Sequence, residues 1–278
     1  MCRVLHVSEQ GYYRFLHRPD KGEKDRELLS QIYECLREDA ENGENYGVRR
    51  IIAWLRLYRG YTGGDRKVYQ ICKQNHLTIR RKRSSHSVTK VDRQAEKSEN
   101  LIKQDFTAVK PNQKFLTDIT EIPCADGKLY LAAVLDCFDG SIRGFHMADN
   151  MRAKLCVKAL ENACRGTKTV GTILHSDRGS QFTSREFRAA LQRHKLVQSM
   201  SGTGRCYDNA RMESFFATLK KEKLYRVDTT KLCRDNVKSI VFRYIHYYNL
   251  RRISSVNGGL PSLVYREKFG HGHIPAAA

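Results

Sequence analysis

Two hydrophobic rhythms divide the chain. Between residues 24 and 39 the apolar positions Leu28, Leu29, Ile32, Cys35 and Leu36 recur every three or four residues, which predicts an amphipathic helix stopped near Asn42-Gly43. A second helix reads Y-G-V-R-R-I-I-A-W-L over 46–55 and runs to a stop at Gly60. A Gly63-Gly64 turn then leads into a third, 66–75, which carries Val68, Tyr69, Ile71 and Cys72. Ahead of these, Ser8 is placed to cap a short helix over 11–17. Short helices around a glycine turn, trailed by Arg80-Arg81-Lys82-Arg83, predict a module like a helix-turn-helix over residues 1–83. That basic run, with Arg49 and Arg50 of the second helix, is a candidate phosphate-neutralising surface. The plainer alternative is a small helical bundle whose basic run is only solvated.

Residues 84–111 lose both periodicity and apolar density, which predicts a linker. From residue 112 the rhythm becomes that of strands. The stretch 114–122 presents Phe115, Ile119 and Ile122; a turn at Ala125-Asp126-Gly127 precedes the run 129–136; a turn at Asp139-Gly140 precedes 142–147. This is the pattern of an antiparallel meander. A helix over 152–164, a short buried strand at 172–174, a helix over 184–194, a strand at 197–200, a loop over 201–207 and a helix over 209–223 follow. A meander followed by α-β-α-β-α is the order of an RNase H-like α/β domain: a mixed five-stranded sheet flanked by helices, here preceded by the helical module. The expected division is 1–83, a linker 84–111, and 112–278 with a helical tail.

Charge narrows the class of partner. Lys and Arg number 50 against 30 acids, a formal charge of +20, and the excess is present on both sides of residue 110. Such an excess favours nucleic acid over a membrane surface. No run of about 18 apolar residues is present, so no bilayer-spanning segment is expected. The amino-terminal stretch has no apolar h-region of a signal peptide, and the nine scattered cysteines contain no C-x-x-C pair. Both point to a reducing cytoplasm, in association with the nucleoid.

Candidate chemistry concentrates in three acids. Asp118 stands in F-L-T-D-I-T, Asp177 in L-H-S-D-R-G-S-Q-F and Glu213 in Y-D-N-A-R-M-E-S-F-F, with thirty-five residues between the second and third. The elements predicted above deliver each acid from a different rigid segment toward one sheet edge. Such a cluster repels itself unless a cation is present, and hard divalent cations take oxygen ligands. Two ions could bind the attacking and leaving oxygens of an in-line phosphoryl displacement. On the last helix Met212, Phe215, Phe216 and Leu219 take core spacing, while Lys220, seven residues after Glu213, shares a neighbouring face and could hold a phosphate. An ordinary surface lysine is the alternative. His175 admits a base or ligand role, but packing is preferred, because two-metal sites activate water without it. Asp208 or Asn209 is placed to cap the helix. A zinc site is disfavoured, since no His pair is followed by C-x-x-C.

T-D-I-T, H-S-D-R-G-S-Q-F and Y-D-N-A-R-M-E-S-F-F, with their spacing and a basic residue seven after the glutamate, resemble the DDE triad of bacterial insertion-sequence transposases with a retroviral-integrase-type core. The likeness is to the B-frame subunit of the family made by translational frameshifting. It extends to Y-G-V-R-R-I, to V-Y-Q-I-C-K and to N-Q-K-F-L-T-D-I-T, and so to nearly the whole chain. The resemblance implies that Asp118, Asp177 and Glu213 are catalytic and bind Mg²⁺ or Mn²⁺, two ions expected, and that Lys220 contacts DNA near the scissile phosphate. It implies cleavage at element ends by water, then attack of the freed 3′-hydroxyl on target DNA. The implied partners are DNA, further copies of the chain on that DNA, and an upstream A-frame subunit or frameshift fusion. Departures are Phe115 in place of a tryptophan, Ser254 in place of a histidine, and Gly258-Gly259-Leu260-Pro261 in place of a serine-proline turn. The alternatives from other classes are a non-catalytic DNA-binding regulator of transposition and a ribonuclease of the same fold.

Overall fold

The computed structural model describes residues 8–16, 21–37, 46–77, 98–202 and 209–270. The basic run 80–83, the segment 84–97 and Tyr207 and Asp208 lie outside the described residues. The chain divides into two compact units, Met1–Arg80 and Arg81–Ala278.

The first unit is helical, as its rhythm requires. In α1 (Glu9–Leu16) the Gly11 N–H donates to Ser8 Oγ at 3.0 Å, so Ser8 satisfies an orphan amide of the first turn. Helix α2 (Lys21–Arg37) buries Leu28, Ile32 and Cys35; α3 (Val48–Arg59) buries Val48, Ile51, Ile52, Trp54 and Leu55. Gly60 ends α3 in the left-handed region with φ of 61°, where a side chain is strained. After a short turn, α4 (Asp65–Gln74) turns Val68, Ile71 and Cys72 inward.

The second unit is built on a five-stranded sheet in the order β3-β2-β1-β4-β5. Strands β1 (Lys114–Cys124), β2 (Gly127–Asp136) and β3 (Ile142–Ala148) form the antiparallel meander, while β4 (Ile173–Ser176) and β5 (Val197–Met200) add in parallel on the other side of β1. Parallel strands need crossovers, supplied by α5 (Ala153–Cys164), the single turn α6 (Ser180–Thr183) and α7 (Arg185–Arg193). Ser184 accepts from Phe187 N–H and caps α7. The core joins Phe115, Ile119, Ala132 and Val134 of the sheet to Leu155, Ala159 and Leu160 of α5 and to Phe182, Phe187 and Leu191. At Gly144 of β3 a Cβ would lie 2.3 Å from Ala163 N and 2.4 Å from Ala159 O, so the approach of α5 to the sheet requires glycine.

Two features depart from the sequence reading. The described part of the expected linker, 98–111, packs on the sheet unit: Ile102 is buried, Leu101 N–H donates to Ser199 Oγ at 2.9 Å, and Met200 N–H donates to Glu99 O. A segment with few apolar residues can dock through backbone hydrogen bonds and one anchor, which periodicity does not register. The helix expected over 209–223 is also not uniform. Its α-helical part, α8 (Ala210–Leu219), passes into one π-helical turn, Lys220–Leu224.

The tail is part of this unit. In α9 (Arg234–Leu250), Asn249 donates to Ile142 O and accepts from Ile142 N–H, both at 2.9 Å, and so pairs with β3 as a strand neighbour would. From α10 (Ser262–Phe269), Arg266 reaches the fully buried carboxylates of Asp136 and Asp139 at the β2–β3 turn.

Candidate active site

The parallel register brings two of the acids level. Leu116 of β1 is paired with His175 of β4, so carrying the register two residues further sets Asp118 beside Asp177, where β4 ends. Openings at the carboxyl ends of parallel strands are where α/β sheets place their sites. Asp177 is fixed there by a tight turn: its Oδ1 accepts from Gly179 N–H at 2.9 Å. The rest of the H-S-D-R-G-S-Q-F motif anchors this turn. Phe182 is fully buried, and Gln181 Nε2 donates to Met151 O at 2.9 Å.

The third acid arrives on α8. Asn209, at the N-cap position, does not cap with its side chain; Nδ2 donates instead to Thr117 O at 3.1 Å, one residue before Asp118. Of the two expected cap residues, Asp208 lies outside the described residues and Asn209 ties α8 to β1 instead. The Asn209 Oδ1 is buried and accepts no hydrogen bond from the described residues. Glu213 follows four residues later, one turn along the helix and exposed.

Asp118 responds to both other acids. Burial, first, and then the Asp177 charge push Asp118 up to about 8, with Glu213 adding to the effect; Ile119 N–H, 2.7 Å from Asp118 Oδ1, and the Lys220 ammonium act in the opposite sense. Partial burial also raises Glu213. Lys220 is half-buried, and desolvation lowers it against the pull of Asp118 and Glu121. The side chain read as a phosphate-holding cation therefore lies within the field of Asp118 and Glu121.

As placed, no three His, Cys, Asp or Glu side chains among the described residues are gathered closely enough to hold a metal ion. The donor set itself fits a hard divalent cation, since it offers only carboxylate oxygens and their repulsion is what a cation would relieve.

His175 has both ring nitrogens engaged inside the fold, Nδ1 2.9 Å from Ser199 Oγ and Nε2 3.1 Å from Ser201 Oγ. It is fully buried and pins β4 to the end of β5, in keeping with the packing role. Arg49 is exposed on α3, and the Arg50 guanidinium stands 5.7 Å from the centroid of the Tyr46 ring.

Sequence reasoning missed the support behind Lys220. Arg252 Nε and Nη2 donate to the two Glu222 oxygens at 2.9 Å each, Tyr244 OH donates to Glu222 Oε2 at 2.8 Å, and the guanidinium lies 5.1 Å from the Tyr248 ring centroid. The cluster holds the π turn, two residues beyond Lys220, against α9. Its signal was the Y-Y-N-L-R-R-I stretch, noticed only as a family feature.

The sheet order and the elements carrying the acids define an integrase-core fold, the fold of polynucleotidyl transferases. Family models described as "Integrase core domain" match residues 108–206 and 213–269. The chain belongs to the IS3 family of insertion-sequence transposases with this core. An uncharacterized 31 kDa protein of insertion element IS600 from Shigella sonnei is 35% identical over 97% of this chain and 98% of its own. The transposase InsF of insertion sequence IS3A from Escherichia coli K12 is 34% identical over 96% and 93%. The probable transposase of IS1353 from Shigella flexneri is 33% identical over 97% of this chain but 52% of its own length. Among solved structures, the simian T-cell lymphotropic virus intasome in complex with PP2A regulatory subunit B56 gamma shares the fold. Its TM-score is 0.50 at 18% identity, over 81% of this chain and 78% of that one.

Proposed function

We propose that the chain is a DDE-type transposase that cuts DNA at element ends and joins the freed ends to target DNA. What supports this reading is that the charges of Asp177, just past β4, and of Glu213 on α8 join burial in pushing Asp118 of β1 up to about 8. These three carboxylates would hold Mg²⁺ or Mn²⁺, two ions in all, which when bound activate the attacking hydroxyl and stabilise the departing charge. In the first reaction a water oxygen bonds to phosphorus, the P–O3′ bond breaks, and a 3′-hydroxyl is freed. In the second that hydroxyl attacks a target phosphodiester and releases one target 3′-oxygen, so each bond broken is matched by one formed. The chain has to position these groups, and Asn209 and the Glu222–Arg252 cluster are built for it. Lys220 is the cation for a phosphate beside the acids, while Arg49, Arg50 and the run Arg80, Arg81, Lys82 and Arg83 neutralise phosphates elsewhere.

Further copies of the chain on the same DNA, and an upstream A-frame subunit or fusion, complete the proposed assembly. The longer IS1353 relative is consistent with such a fusion. Among the described residues no helix is long and apolar enough to cross a membrane, and the proposed location is the cytoplasm at the nucleoid. A non-catalytic regulator would have no use for a carboxyl raised by burial beside two further acids.

Asp118→Asn, Asp177→Asn and Glu213→Gln should each lower strand transfer by about a hundredfold or more, because even outer-shell partners of a metal cost about 10–100-fold. DNA binding should persist in each variant. Wild-type activity in any one of them, measured on element-end DNA with Mg²⁺, overturns the assignment.

A further inference from the structure

In the helical unit three ion pairs tie charges of neighbouring helices together. Arg56 pairs with Asp65, Arg59 with Glu34 while lying over Trp54, and Lys67 with Asp25. The outward stripe of α4 differs. Arg66, Tyr69, Gln70 and Lys73 are all exposed and fall at i, i+3, i+4 and i+7, so they share one helix face. Among the described residues none of the four side chains makes a hydrogen bond or ion pair, and no acid stands on the stripe. The inward positions Val68, Ile71 and Cys72 fix this face outward by packing, so it is rigid as well as free.

Resting on the proposed DNA-handling function, we infer that α4 enters the DNA major groove and reads base edges with Arg66 and Gln70. The occupant is duplex DNA, argued from three observations. The stripe is cationic without compensation, in a chain of formal charge +20. It lies on the second helix after a glycine turn, and in a helix-turn-helix that helix is the one presented to the groove. Its side chains also match the groove chemically: an Arg fork fits guanine O6 and N7, and a Gln amide fits adenine N6 and N7. Arg66 and Gln70 are one turn apart, about 6 Å of rise, which spans about two base-pair steps. Lys73 and Tyr69 then serve the flanking phosphates, contacts that position without specifying.

The test is selection from a pool of randomised duplexes by the full chain, followed by affinity measurements on the selected and on random duplex. Wild type should enrich a motif. Arg66→Ala should erase the preference at one base pair, and Gln70→Ala at another about two pairs away, each weakening the selected duplex about tenfold while sparing random duplex. Arg66→Lys should lose the same preference despite keeping the charge, because the bidentate fork is gone. Lys73→Ala should weaken both duplexes equally. The assignment is overturned if wild type enriches no motif, or if Arg66→Lys and Gln70→Ala select the wild-type motif. Asp118→Asn separates the two claims. If it retains strand transfer, the catalytic reading falls while the motif still decides for or against α4.

Discussion

Desolvation at its half-buried position, with the Asp177 and Glu213 charges adding, pushes Asp118 from the ordinary carboxyl value of 3.8 up to about 8. The sign of the consequence is fixed by that direction. Between the two values the folded state binds a proton that the unfolded chain releases, so this group's contribution makes the metal-free protein less stable as pH rises from about 4 to about 8. A divalent cation must displace the same proton, and its affinity should therefore rise over the same interval. The expected result is a lower melting temperature of metal-free protein at pH 8.5 than at pH 6, a difference that Asp118→Asn reduces and that excess Mg²⁺ offsets at the higher pH. A pH dependence identical in wild type and Asp118→Asn would remove burial of this carboxyl as its cause. The three acids stand out in the sequence because their neighbours are distinctive. Asn209 does not, since an amide before a helix reads equally as a cap or as a tie to the next strand, and only the fold decides which carbonyl or amide is in reach.

Element boundaries followed from periodicity where one face of a helix is buried, as in α4 and α5, and from apolar runs bounded by turn residues in β1 and β2. The π turn was hidden by the same logic. Leu219 and Leu224 are both buried yet five residues apart, a spacing that an α-helix rotates off one face and a turn with i→i+5 bonding restores; Tyr225 N–H donates to Lys220 O at 2.8 Å. What keeps this turn against α9 is the ion pair between Arg252 and Glu222, whose side chains are only 11% and 12% exposed. A buried pair costs desolvation, and removing one partner leaves the other charged, unpaired and out of water. Arg252→Ala should therefore destabilise the protein by about 3–5 kcal/mol in denaturant unfolding, while replacing both partners, with Arg252→Met and Glu222→Leu, should recover most of that loss. A double variant as unstable as the single one would show that packing around Tyr244 and Tyr248, rather than charge, sets the stability of this turn.

For the whole molecule the decisive quantity is the excess of positive charge. Internal ion pairs such as Arg252 with Glu222 or Arg266 with Asp136 consume one charge of each sign, so no amount of internal pairing can reduce the formal +20 left by 50 basic and 30 acidic residues. Composition made that partner class legible before any element was assigned. The docking of 98–111 on the sheet was not legible, because it depends on one buried Ile102 and on partners supplied from far along the chain, the Ser199 hydroxyl and the Met200 N–H. The uncompensated charge should be visible in binding to DNA of arbitrary sequence. Each phosphate neutralised releases condensed counterions, so affinity falls as a power of salt concentration, by about a thousandfold between 50 and 200 mM for six phosphates. The full chain on a random 30-base-pair duplex should show a slope of that order. Asp118→Asn should leave it unchanged, because the acid cluster makes no contribution to counterion release. A flat response would mean that the excess charge faces something other than the phosphate backbone.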